Sequence, residues 1–540
     1  MAMLGSHMFT NIGRHLLPLT EDKNLTQSLL VFVEQGSDIL KGKALVLVAL
    51  LCKHGRRWLS HFFCSRKLLS VVDRLGKEKD SYIRQCLDAF VHVVTSTIPG
   101  LLDTVTGDIH QIMGGRRQGH ISALANRSAP KTNIHLFPTV LHLLGSSVLK
   151  HKVVTPQVLQ QLANLIKLVE TPFQGRDDFQ FQITLLRVLE CLTEESLVVL
   201  GNPNIFIREI LPSLTVLYKG NKDDGARFLC LKILFDVMII VLSEPVEEEQ
   251  RLGDLKFISN ARFLPLYPTL IEDEDPIPIY AQKLLVMLLE FSFITIPDIL
   301  HLKTVSQCFE FLLGDLSNAN VNNVKLCLAL ASAPEMESKL LSQLKVIRRI
   351  GNFLEFVYAK GMEDLLEPTL GLCRAFLAHS VYTTEPTLLG DYPSEMSGAV
   401  DPQPCIRDIA EFASNAGVLL ELSSSNETNV ADIASECVVL LLKAAPREAT
   451  TGLLTNLPKV SVILESWSKG IPHLFAQRML HALGYACKQY LLHAMILSIS
   501  KPEISRIEMI VSELKSSSVP GLATAAALAA SELQRLPRCI

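Results

Sequence analysis

The sequence predicts an all-α protein built as a solenoid of stacked helical repeats, and three observations predict it. The first is the stretch Asp223 to Glu244, DDGARFLCLKILFDVMIIVLSE, which holds no Gly or Pro from Ala226 to Leu242 and only three charges there, Arg227, Lys232 and Asp236. As a helix it would be about 26 Å long at 1.5 Å per residue. It is apolar nearly all round, where a helix with one buried face shows a wide polar side, so neighbours must cover it on several sides. Its polar strip is narrow: Lys232 and Asp236, four residues apart on the same side. The second observation is that this layout recurs. The third is composition: 540 residues, 48% hydrophobic and only 6% aromatic. One compact core stops growing at roughly 250–300 residues, and a β-sandwich of this size would want more Tyr, Trp and Thr.

Taken in order, residues 25–53 read as two helices joined at Gln35 to Asp38, and 57–75 as a third. Asp80 opens a long amphipathic helix whose stripe is Ile83, Leu87, Phe90, Val91 and Val94, expected to stop before Pro99-Gly100. An acidic pair followed by an apolar body returns at Asp177-Asp178, Asp223-Asp224 and Asp273 to Pro278. A weaker form appears at Asn322-Asn323, Asn426 and Gly470. Asp178 and Asp224 stand 46 residues apart, Asp224 and Asp275 51, and Asp275 and Asn323 48. These spacings fit the roughly 40–47-residue period of HEAT and armadillo units with slightly long loops. Physically, an acid or amide caps each helix while its apolar body is sandwiched between units.

Three interruptions divide the chain. Residues 113–133 are Gly-rich and basic and read as an exposed loop; 244–254 are an acidic turn; 381–404, with four prolines, read as a linker or lid. The expected organisation is N-terminal helical repeats over 1–112, the loop, central repeats over 134–380, the linker, and C-terminal repeats over 405–540. Within the last, Ala523 to Leu533 is an alanine-rich helix suited to cap the stack.

A net charge of −4 and a pI near 6.4 give no footprint for nucleic acid. No apolar run is long enough for a spanning helix. Twelve singly scattered cysteines read as buried reduced thiols, which points to a cytoplasmic chain. Phosphate-binding glycine loops, kinase signatures and the Gly-x-Ser-x-Gly elbow are missing from the sequence. The strongest metal candidate is Cys52, His54, His61 and Cys64, but zinc ligands come in tighter pairs and Cys52 sits on a core stripe, so no metal or cofactor is expected. Trp58 and Trp467 are followed four residues later by Phe62 and Ile471, not Asn, which disfavours an importin-type peptide clamp. The candidate partner-binding residues are therefore the basic cluster Arg116, Arg117, Arg127 and Lys131, suited to an acidic partner, and the strip Lys232 and Asp236 with its equivalents Arg84, Arg187, Lys283 and Lys325. The same cluster also reads as an ordinary solvated loop.

The segments 53–94 and 150–192 resemble the C-terminal armadillo/HEAT region of the Unc-51-like kinase 4 family, in the Fused-type branch of serine/threonine kinases and pseudokinases. The resemblance implies a non-catalytic interaction scaffold linked to microtubules and cilia. Its implied partners are other proteins: a Fused-type kinase relative or microtubule-associated proteins. In that family a kinase-like domain precedes the repeats, so this sequence reads as a shortened isoform or fragment, with no catalytic residue to carry over. The alternative implication is the regulatory arm of an active serine/threonine kinase.

Overall fold

The computed structural model describes residues 23–54, 58, 62, 65–118, 133–170, 176–243, 249–336, 344–388, 409–466, 473–497 and 499–536. Among them the chain is helical, with no strand. It divides into two compact units, Met1–Leu284 and Leu285–Ile540. An all-α solenoid of repeats is what the sequence predicted.

In the first unit the helices of ten residues or more are α1 (Lys23–Gln35), α2 (Asp38–His54), α3 (Arg66–Leu75), α4 (Ser81–Gln118), α5 (Pro156–Leu168), α6 (Arg176–Thr193), α7 (Leu211–Gly220), α8 (Asp224–Ser243) and the start of α9 (Ile277–Glu290). Their starts are written in capping chemistry. The Asp80 carboxylate accepts hydrogen bonds from the Tyr82 and Ile83 amides at 2.8 and 3.1 Å, and Asp223 accepts from Ala226 N at 2.8 Å. Thr155 caps α5 ahead of a proline in its first turn.

α8 is covered as its composition demanded. It packs on α6 and α7, and its Phe228 and Phe235 both meet Tyr280 edge-on, with ring centroids 5.4 and 5.2 Å apart. Residues from Ala226 to Leu242 on several of its faces are buried.

The helix opened by Asp80 does not stop before Pro99, as the sequence reading expected; it continues to Gln118. The reason lies on the far side of the proline. Leu101, Leu102, Val105 and Ile109 continue the three-four spacing and are all fully buried. At about 1.5–3 kcal/mol for each such side chain, that burial exceeds the ~3 kcal/mol cost of a proline inside a helix. Gln161 of α5 reinforces the site, donating to the Pro99 carbonyl at 3.1 Å and to Asp103 at 2.6 Å.

In the second unit the helices of ten residues or more are the end of α9, α10 (Leu302–Gly314), α11 (Val321–Ala331), α12 (Ile347–Ala359), α13 (Glu363–Leu388), α14 (Thr428–Ala444), α15 (Pro446–Thr455), α16 (Leu457–Ser466), α17 (His473–Leu492), α18 (Lys501–Lys515) and α19 (Pro520–Leu533). α11, α13, α14, α17 and α19 form a ladder in which each packs on the next. The others make a second layer: α10 lies on α11, α12 on α13, α15 on α17, and α18 on α19. The weaker sequence echoes at Asn322, Asn426 and Gly470 mark three rungs of this ladder. The cap of α11 is Asn320, whose Oδ1 accepts from Asn323 N at 3.0 Å, while Asn323 itself is buried. The alanine-rich helix is the next rung: Ala525, Ala526 and Ala529 of α19 are fully buried where it packs on α17 and α18.

Of the three interrupting segments, 244–254 was expected as an acidic turn, but 249–254 lie in a helix, Glu249–Phe257, and 244–248 fall outside the described residues. The other two segments begin on helices. Residues 113–118 are the last turns of α4, and 119–132 lie outside the described residues. Residues 381–388 end α13, and 389–404 lie outside them too.

Candidate interaction surface

The polar strip of α8 is an ion-paired seam. Lys232 Nζ lies 3.2 Å from Asp236 Oδ2 on its own helix and 3.1 Å from Glu190 Oε1 on α6. Glu190 is in turn 2.8 Å from Arg187 Nη1. Glu190 and Asp236 stand 46 residues apart, the spacing of Asp178 and Asp224, so they are the same position in successive repeats. Lys232 thus ties one repeat to the next with a carboxylate on either side. Burial alone would raise the Glu190 carboxyl, but hydrogen bonds from Lys232 and Arg187 and their charges leave it below the usual carboxylate range. Asp236 goes the other way: burial pushes it up, and Lys232 offsets this only in part. The strip residues Arg187, Arg84 and Lys325 stay at the surface, while Lys283 sits over the Tyr280 ring at 5.8 Å.

A second seam was read differently from sequence. Asp273, expected among the caps of α9, instead takes Arg227 of α8. Arg227 Nε donates to Oδ2 at 2.8 Å and an Nη to Oδ1 at 2.7 Å, a bidentate pair, and the Tyr218 hydroxyl of α7 donates to Oδ2 at 2.6 Å. The Asp273 and Arg227 side chains are only 8% and 17% exposed. Against the upward push of burial, the Arg227 and Tyr218 hydrogen bonds, the Glu274 amide and the Arg227 charge hold the Asp273 carboxyl below its usual range. Burial and then the Asp273 carboxylate push the Tyr218 hydroxyl up. The repeat spacing, with Arg227 and Asp273 46 residues apart, was the available signal, but an acid just before an apolar run reads first as a cap.

Of the basic cluster, Arg116 and Arg117 fall in the last turns of α4, while Arg127 and Lys131 lie outside the described residues. Of the metal candidate, Cys52 is fully buried, and the side chains of His54, His61 and Cys64 lie outside the described residues. Among the described residues no group of three His, Cys, Asp or Glu is placed to hold a metal ion, and no helix is long and apolar enough to cross a membrane.

A family model for the HEAT repeats of ULK4-like serine/threonine-protein kinases matches residues 101–297, and one for the RUNKEL armadillo-repeat domain matches residues 303–539. The chain carries the repeat domains of the RUNKEL and ULK4-like kinase family. The passage from the ULK4-like match to the RUNKEL match, between 297 and 303, falls close to the boundary between the two compact units. Serine/threonine-protein kinase RUNKEL of Arabidopsis thaliana is 64% identical over 555 residues, covering 100% of this chain and 40% of RUNKEL. Serine/threonine-protein kinase ULK4 of Mus musculus is 24% identical over 343 residues, covering 59% of this chain and 26% of ULK4. The chain therefore spans well under half the length of both relatives. A solved structure of SYS-1 aligns over 94% of this chain and 98% of that one, at a TM-score of 0.38 and 8% identity.

Proposed function

We propose that this chain is a non-catalytic protein-interaction scaffold, the repeat arm of a RUNKEL and ULK4-like protein. The observation that carries the proposal is the stacking of helical repeats: a core shared between successive units leaves one helix of each repeat lining an extended surface. Apolar side chains on those surface-lining helices support it, since Ile239, Ile279, Tyr485 and Leu528 are all exposed. The partners we propose are proteins, a Fused-type kinase relative or microtubule-associated proteins, and the location is the cytoplasm at microtubules or cilia. That finer reading comes from the family resemblance. The partner contacts within this reading are Arg116, Arg117, Arg127 and Lys131 toward an acidic surface, with the Lys232–Asp236 seam holding two of the repeats in register.

Co-pelleting with microtubules, alongside pull-down by a Fused-type kinase relative, tests the proposal. Binding to either, reduced when the four basic residues are changed to Glu and by raised salt, is the expected result. A chain that binds neither overturns it.

A second reading, the regulatory arm of an active serine/threonine kinase, is favoured by the name RUNKEL carries and by the 40% of that relative which this chain spans. Catalytic Lys and Asp-Phe-Gly signatures in any longer form of this protein, with phosphotransfer that changes when the repeats are removed, would select it.

A further inference from the structure

At the end of the second unit, α14, α17 and α19 leave a groove of about 350 Å3, within the range of sites that take a ligand's apolar groups, about 300–1,000 Å3. Its floor is made of small residues. A Cβ on Gly484 would stand 3.4 Å from the Ala529 Cα, and Ala482 and Ala529 are buried, so α17 and α19 approach closely and leave the surface beside them concave. Over this floor stand Leu442, Tyr485 and Leu528, the last 56% exposed. A leucine left this open beside a tyrosine ring and an apolar floor is an anchor without its counterpart.

The rim has a sign. Lys443 and Lys488 are exposed, and neither is ion-paired among the described residues. The one acid on the rim, Glu532, is already taken by Arg535, 3.1 Å away. The groove is therefore apolar inside and net positive at its edge.

We infer that the α14–α17–α19 groove docks an amphipathic helix of a partner protein, with apolar residues at i, i+3 or i+4, and i+7 seated over Tyr485 and Leu528 and Asp or Glu on its flanks facing Lys443 and Lys488. This deepens the scaffold reading above and rests on it, but uses a different surface from the 116–131 cluster. A basic helix would meet two lysines at the rim, and like charges across an interface repel and disfavour docking.

The test is selection of random 16-residue peptides displayed on phage against the full chain, then fluorescence anisotropy of the enriched peptides. The expected result is enrichment of helices with that apolar spacing and acidic flanks. Their Kd should weaken roughly tenfold with K443E/K488E, weaken with L528D, and stay unchanged with K325E on the distant α11. All four changed residues are exposed, so circular dichroism should be the same for every variant. No enrichment, enrichment of basic or uncharged peptides, or binding indifferent to K443E/K488E and L528D overturns the inference. If microtubule or kinase-relative binding persists in any of those cases, the groove assignment falls while the scaffold reading stands.

Discussion

Arg227 and Asp273 meet through two parallel hydrogen bonds, 2.8 and 2.7 Å long, across one repeat of the chain, with the Tyr218 hydroxyl closing the group. Breaking such a pair from one side leaves a half-buried charge behind. Asp273→Ala is expected to cost about 3 kcal/mol, and Asp273→Asn less, because the amide still accepts from Tyr218. Hydrogen exchange of the full chain should show the loss as faster exchange in α7 and α8; unchanged protection there would refute the assignment.

The same group gives the first unit an acid limit. Asp273 and Glu190 both have folded-state pKa values below their ordinary ones. Their stabilisation is therefore full above the unfolded-state values, about 3.9 and 4.3, and is lost as pH falls through the folded-state values. Asp236 has the opposite sign: raised in the fold, its ionisation opposes folding above its folded-state pKa, and that penalty disappears at low pH. At neutral pH, Glu190→Gln should then destabilise the α6–α8 seam by about 1 kcal/mol, while Asp236→Asn should be neutral or stabilising. Thermal melts at pH 7 and pH 4 separate the two; equal losses at pH 7 would contradict this reading.

Pro99 interrupts a helix that its neighbours hold together. Pro99→Ala should stabilise α4 by about 2 kcal/mol, whereas Leu102→Ala, which empties a fully buried site, should cost about 2–5 kcal/mol. Hydrogen exchange across 95–110 measures both, and a destabilising Pro99→Ala would contradict this reading.

Gly351 of α12 is required by close approach. A Cβ there would clash with Asn415 Oδ1 and lie 3.0 Å from Phe412, and Asn415 is buried, donating to the Gly351 carbonyl at 3.2 Å and to Glu355 at 2.7 Å. Displacing it leaves an amide unsatisfied, so Gly351→Ala is expected to cost about 2 kcal/mol despite a helix-propensity gain of nearly 1 kcal/mol. A stabilised Gly351→Ala in a thermal melt would contradict that contact.

The cysteines should be chemically quiet. Burial pushes the thiols of Cys230, Cys373 and Cys487 up to about 12, and only the thiolate reacts. Among the nine described cysteines, Cys191 alone is not buried. Peptide mapping after brief iodoacetamide treatment should find it alkylated ahead of Cys230, Cys373 and Cys487; the reverse order would count against the packing described.

Much of this fold was legible because apolar bodies recur at one spacing, and the acids before two of them, Asp80 and Asp223, do cap. What was not legible is non-local. α13 was hidden by Pro368 and Gly371 inside an otherwise apolar run, and only its packing between α11 and α14 identifies it as a rung. The second half of α4 was hidden by Pro99, since local rules stop a helix that burial on its far side sustains. At the candidate surface, Lys232 and Asp236 were visible as an i,i+4 strip, yet Glu190, which turns the strip into a seam, lies 42 residues away from Lys232 on another helix. The groove over Gly484 and Ala529 has no sequence motif: it follows from small residues on two helices that meet only in the fold.

The most direct test of the scaffold is hydrogen exchange of the full chain with and without saturating microtubules or a Fused-type kinase relative. The account predicts added protection on the last turns of α4 or on surface-lining helices such as α8, α14, α17 and α19, with the second-layer helices α10, α12 and α18 unchanged. Protection that changes nowhere with either partner would contradict it.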